Sequence, residues 1–232
     1  AIAVLPFGGT RKGEAVRAQA LAMNSLTGID DPFIKVVDRE NMERILEEQR
    51  LSMSGVIDEA TAVSAGKLIG AQAVLMGTLV DYREETGTVK RGTRDGFRKY
   101  EQRVPDPNNP GQTMMVARYA PVKYTEYQQE NKVIASFSYK LVSLETGEVL
   151  LSKLVDRTVS DAARYATYDG QANVLYPAQN GVVHTPGYNS LQSLLKAPRT
   201  PRPVSELGGD ALRQVTQGLS GEVLNTLSTR IP

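Results

Sequence analysis

A chain of 232 residues can bury a real core in one large domain or two small ones, and the order of its elements favours one. Its 27 Lys and Arg against 26 Asp and Glu leave a formal charge of +1, which excludes the electrostatic footprint needed to hold nucleic-acid phosphates or an anionic bilayer. The absence of cysteine excludes disulfides, thiolate catalysis and Cys-ligated zinc, and it means that no lipid-modified cysteine lies within the sequence.

The first elements read as strand and helix in alternation. No run of about twenty apolar residues occurs, so no membrane-spanning helix is expected. Residues 2–7 form a buried strand that Gly8 and Gly9 punctuate, and any targeting segment is expected upstream of Ala1 or to have been removed. Over 13–27, Val16, Ala20, Met23 and Leu26 recur at helical spacing, with Gly28 placed to end the helix in the left-handed conformation. Residues 33–37 are a short β-branched strand between Asp31-Pro32 and Asp38, whose side chain can cap the next helix. That helix, 39–51, buries Met42, Ile45 and Leu46; a connector leads to Asp58, the N-cap of a third helix that carries Ala62, Ala65, Leu68 and Ile69 and stops at Gly70. Residues 73–80 are almost continuously apolar, the pattern of an interior strand buried on both faces.

Further on, Val133, Ala135, Phe137, Tyr139 and Leu141 alternate with Ile134, Ser136, Ser138 and Lys140, the period of a strand with one mainly polar face. Glu145-Thr146-Gly147 turns the chain back through 149–159 as a hairpin. Over 210–231 the residues Leu212, Val215, Leu219, Val223 and Leu227 share one stripe, so a C-terminal helix is expected. Two stretches interrupt this plan. Residues 83–132 carry closely spaced charges and the turn Pro105-Asp106-Pro107-Asn108-Asn109-Pro110-Gly111; residues 163–204 are rich in Tyr, Gln, Asn, Gly and Pro, with Pro198, Pro201 and Pro203 extending their end. The fold class is therefore α/β: a mixed sheet with helices packed on it, two long hairpin or loop insertions at 83–132 and 163–204, and a C-terminal helix, all in a single domain over 1–232.

The sequence offers little catalytic chemistry. The loop Phe7-Gly8-Gly9-Thr10-Arg11-Lys12-Gly13 stands between strand and helix, but it lacks the Gly-x-x-x-x-Gly-Lys-Ser/Thr spacing of a phosphate loop, and a plain turn is the better reading. His184 is the only histidine, which excludes a two-histidine metal site and leaves a triad without a fixed orienting partner. Glu40, Glu43, Glu47 and Glu48 lie near Arg39, Arg44 and Arg50 and are explained as a solvated helix face. Tyr165, Tyr168, Tyr176 and Tyr188 suit a protein contact, a membrane interface or ordinary packing on their own domain. No catalytic, cofactor-binding or metal-binding residue is expected.

One ordered set of features is more specific. A strand ending in Val37-Asp38-Arg39 is followed by the helix segment Ile45-Leu46-Glu47-Glu48-Gln49, the break Ser54-Gly55, the segment Lys67-Leu68-Ile69-Gly70-Ala71, and a strand over 73–80 with Gly77 inside it. This order resembles the shared core of the curli secretion channel family, and residues 1–7 and 139–150 extend the resemblance. The resemblance implies an exported, periplasmic α/β domain associated with the outer membrane. It also implies a homo-oligomeric ring from which two hairpins per protomer build a β-barrel, and the two insertions stand at the corresponding places.

The first insertion departs from that pattern, because Lys90-Arg91 and Arg98-Lys99 force charge to both faces of any strand, at about 2–4 kcal/mol for each Lys or Arg facing lipid at the midplane. It is expected as a water-exposed hairpin, whereas 163–195 has room for one spanning hairpin. The expected function is non-enzymatic: a ring-forming component for the secretion, assembly or anchoring of surface fibres or adhesins. Its partners would be fibre subunits or accessory envelope proteins, with no nucleic acid and no cofactor. The family also contains soluble members without the barrel, so the alternative is a periplasmic accessory lipoprotein that regulates an envelope enzyme.

Overall fold

The computed structural model describes residues 2–28, 36–37 and 71–230. The helices expected over 39–51 and 58–70, and the first residues of the 33–37 strand, lie outside them. In chain order the described strands are β1 (Ile2–Val4), β2 (Gly8–Gly9), β3 (Val36–Val37), β4 (Ala73–Thr86), β5 (Lys90–Pro105), β6 (Thr113–Ser143), β7 (Val149–Thr167), β8 (Leu175–Gln179) and β9 (Val182–Val183). The described helices are α1 (Lys12–Thr27), α2 (Tyr188–Lys196), α3 (Val204–Thr216) and α4 (Leu219–Arg230). The chain divides into two compact units, one of Ala1–Glu85, Lys132–Val159 and Val204–Pro232, the other of Thr86–Asn131 and Ser160–Pro203.

In the first unit β1 is buried and runs parallel to both β3 and β4, with Ile2 opposite Val36 on one side and Ala73 on the other. β4 also neighbours β6. The Leu144 N–H donates to the Gln72 carbonyl at 2.9 Å at one end of that pair and Lys132 meets Glu85 at 2.9 Å at the other, so these strands are antiparallel. The sheet is therefore mixed, as expected. Ala73, Val74 and Leu75 are buried on both faces, but β4 then alternates and Val80 is exposed, because its second half has one covered face only. Val133, Ala135, Phe137, Tyr139 and Leu141 all point into the core, as their alternation predicts, and Phe137 packs on Phe7 with ring centroids 5.2 Å apart.

The helices correct three details of the sequence reading. α1 buries Ala15, Ala18, Gln19, Ala22 and Leu26, while Val16 and Ala20 face solvent. The buried stripe is made of small residues that let the helix lie close to the sheet, a signal weaker than the valine beside it; Gln19 joins it because its Oε1 accepts the Phe7 N–H at 3.0 Å. Gly28 closes α1 in the right-handed region, φ −76° and ψ 0°, and donates its N–H to Asn24, so no left-handed cap forms. At the C-terminus one expected helix is two. Leu212, Val215, Leu219 and Val223 are buried and Leu227 packs on the same core, but Gly218 at φ +83° breaks the run between α3 and α4.

In the second unit β5 pairs antiparallel with β6 from Lys90 opposite Gln128 to Pro105 opposite Thr113. The connecting turn is held by Asp106, whose Oδ1 accepts the Asn108 N–H and whose Oδ2 accepts the Asn109 side-chain amide, both at 2.8 Å. Stretch 163–195 contains no pair of strands of the roughly 9–11 residues that a membrane-spanning hairpin needs: β8 has five residues, β9 has two, and α2 follows. Asn180 (φ 52°) and Gly181 (φ 77°) make the tight turn between β8 and β9. β8 then pairs with β5 at Gly96, Phe97 and Arg98, and Leu175, Tyr124, Ala166 and Leu191 form a small core.

Candidate functional site: an exposed β-ribbon

The loop glycines and His184, singled out for chemistry, are put to structural use. Gly8 and Gly9 pair with Thr78 and Leu79, and a Cβ on Gly9 (φ +147°) would stand 2.7 Å from the Leu79 carbonyl oxygen. The glycines thus allow the close approach of β2 to β4 and do not form a phosphate cradle. His184 donates its backbone N–H to Pro177 at 2.9 Å, beside the β8–β9 pairs, and its carbonyl accepts the Gly187 N–H at 3.1 Å in the short turn that follows β9. Among the described residues its imidazole has no carboxylate or hydroxyl partner, and no group of three or more metal-ligating side chains occurs. Glu40, Glu43, Glu47 and Glu48 lie outside the described residues.

The tyrosines pack on their own unit. Tyr165 stacks on Tyr127 with centroids 4.7 Å apart and planes 8° from parallel; Tyr176 meets Tyr119 edge-on at 5.4 Å and Tyr188 at 4.6 Å; Tyr168 lies against the small core. Of the three roles that suited them, ordinary packing is the one the geometry supports.

What stands out instead is the ribbon formed by β5 and the first half of β6. Beyond Arg98, β5 pairs with β6 alone among the described residues, leaving an outer edge of main-chain donors and acceptors. Side chains alternate between the faces, and both carry charge: Arg98 and Arg118 on one, Lys99, Glu101 and Arg103 on the other. Tyr100, Met114, Met115 and Tyr119 are exposed among them. The two hydrogen bonds that form the turn, first from Asn109 and then from Asn108, hold the Asp106 carboxyl below the usual carboxylate range, so the tip is anionic over most of the pH scale. A two-stranded ribbon with an open edge and exposed aromatic and thioether side chains is chemically suited to contact another chain.

The model of one protein family, described as curli production assembly/transport component CsgG, matches residues 15–195. This chain belongs to that family. The match takes in most of α1, β3 to β9 and α2 up to residue 195, and so includes the whole ribbon. No curated protein matches the chain. Among solved structures, hypothetical protein CT253 from Chlamydia trachomatis is similar at 11% identity and a TM-score of 0.41, over 97% of this chain and 98% of that one. The PelC dodecamer from Paraburkholderia phytofirmans is similar at 11% identity and 0.36, over 94% and 86%. The LpoB C-terminal domain from Salmonella enterica is similar at 13% identity and 0.35, over 67% and 81%. Likenesses at that level assign neither fold nor activity.

Proposed function

We propose that this curli-channel-family chain is a non-enzymatic, exported component of outer-membrane-associated machinery that secretes, assembles or anchors surface fibres or adhesins. In this reading it is a single α/β domain with insertions at 83–132 and 163–204, and it works as a homo-oligomeric ring. The family match over 15–195 carries the reading. The free-edged ribbon supports it, because a ring repeats one heterologous contact around its axis and an extended element can bridge neighbouring protomers. A second reading, a soluble periplasmic accessory lipoprotein that regulates an envelope enzyme, draws support from the charges on both ribbon faces, which oppose insertion into lipid.

The test is the mass of the protein extracted with its native N-terminus, compared with a shortened variant. Lys99 stands opposite Tyr119, so an Asn-Gly turn can replace residues 100–118 and leave the β5–β8 pairing intact. The ring reading expects a large, defined oligomer that the shortened variant fails to form while its monomer stays folded. A native mass that is monomeric and unaffected by the change would favour the accessory protein.

A further inference from the structure

A cleft of about 210 Å³ opens on the second unit beside the N-terminal end of β5. Four cations line it, Lys90, Arg91, Arg94 and Arg164, against one carboxylate, Glu126. Glu126 is already engaged: it accepts from Arg94 Nε at 3.0 Å and from the Tyr124 hydroxyl at 3.4 Å. Lys90, Arg91 and Arg164 have no ion pair among the described residues. On a chain whose formal charge is +1, three uncommitted cations around one small concavity are a local concentration of charge that the fold does not neutralise.

Two further observations say what shape of ligand fits. Gly92 lies in the lining, and a Cβ built on it would meet nothing within 4 Å, so the cleft is open at the point where any other residue would fill it. The strand beside it has an open edge: β8 pairs with β5 at Gly96, Phe97 and Arg98 only, so the outer main-chain groups of Lys90 to Asp95 have no strand partner among the described residues, and those residues are exposed. An open edge offers alternating N–H and C=O groups that a second peptide backbone can match. One wall is rigid, because Tyr165 is stacked on Tyr127 while the Arg199 guanidinium stands 6.0 Å from its ring centroid.

We propose that this cleft receives an extended acidic segment of a partner protein, which adds as a strand to the open edge of β5. Lys90 and Arg91 point to opposite faces of β5, so the segment carries carboxylates on both of its faces to meet Lys90, Arg91 and Arg164. Arginine favours this ligand, since its planar fork takes a carboxylate through two parallel hydrogen bonds. The strand edge favours a peptide over an acidic sugar, which has no backbone to complete the ladder. Both features belong to one protomer, so the site is independent of ring formation.

The test uses the full chain and a fluorescein-labelled ten-residue peptide in which adjacent pairs of Asp and Glu are separated by Thr or Val, so that both faces of the bound strand carry carboxylates, followed by fluorescence anisotropy. The acidic peptide binds and weakens as salt rises, and its Lys-for-Asp/Glu counterpart does not bind. Arg164→Ala weakens binding about tenfold or more, the scale of one lost charge-assisted hydrogen bond. Gly92→Val abolishes binding with an unchanged melting temperature, because the added side chain meets open space in the fold and fills the cleft. A peptide N-methylated at alternate residues loses most of its affinity. The proposal is overturned if Gly92→Val and Arg164→Ala both bind as the parent does, if the N-methylated peptide binds equally well, or if polygalacturonate binds the cleft and the peptide does not.

Discussion

The two units are built on different balances of the same forces. In the first, an apolar core runs from Ile2 and Val4 through Leu75 and Phe137 to Leu212 and Val223, with both a sheet and three helices contributing to it. In the second, the core is Tyr124, Ala166, Leu175 and Leu191, and much of the order comes from the β5–β6 ladder and from paired tyrosine rings. Burial of apolar area is the larger stabilising term, so the first unit is expected to hold its shape where the second opens locally. Free strand edges, exposed methionines and uncommitted arginines collect in the second unit, where side chains have not been spent on a core.

Paired cavity mutations give the sharpest break of that comparison. Leu75 is fully buried on both faces of β4, and Leu75→Ala should cost about 2–5 kcal/mol toward the top of that range. Leu191→Ala, in a four-residue cluster whose neighbours can close in, should fall near the bottom, about 2 kcal/mol. Urea denaturation measures both, and hydrogen exchange should show Leu191→Ala loosening only the second unit. Equal costs, or exchange that rises everywhere in both variants, would mean that the units do not differ in this way.

Gly208 tests how closely the first unit is packed. A Cβ there would stand 2.1 Å from the hydroxyl of Tyr82, a buried tyrosine that donates to Glu84 at 3.0 Å and whose pKa is pushed up to about 12, chiefly by burial and then by that carboxylate. Gly208→Ala should therefore cost about 1–3 kcal/mol by overpacking. Tyr82→Phe removes the clashing atom, so the double variant should be more stable than the sum of the two changes predicts. Strict additivity would show that the contact is not the source of the cost.

The smallest effect concerns acid. Glu222 on α4 pairs with Lys153 on β7 and accepts the Tyr139 hydroxyl at 3.2 Å. The Lys153 hydrogen bond above all, with help from Tyr139 and against a smaller opposing effect of burial, holds its carboxyl below the ordinary value of 4.5. A carboxyl depressed in the folded state stabilises the fold fully above its unfolded value and loses that contribution as pH falls through the lower folded value. The parent should lose melting temperature between pH 5 and pH 3 more steeply than Glu222→Gln, by the modest margin expected of a half-exposed pair. Parallel pH profiles would assign the acid sensitivity to other carboxylates.

Legibility followed the strength of local patterns. The alternation over 133–141 and the stripe from Leu212 to Leu227 were readable because large apolar residues carried them at the right period. The buried face of α1 was misread because alanine, the residue that lets a helix approach a sheet, gives a weak signal beside Val16. The break at Gly218 was a single glycine in an unbroken stripe, and the stripe outweighed it. Asn180-Gly181 before Val182-Val183 was a hairpin signal that the polar composition around it concealed.

The sequence by itself determined the α/β class, the buried face of the strand over 133–141 and the family resemblance, since these depend on the order and period of neighbouring residues. Only the tertiary structure decided that Tyr127 would stack on Tyr165 and that Arg164 would join Lys90, Arg91 and Arg94 around one cleft. Those residues come from separate stretches of chain, and no local pattern encodes a contact closed across more than thirty residues. Strand pairing brings them together, and pairing is a property of the folded sheet.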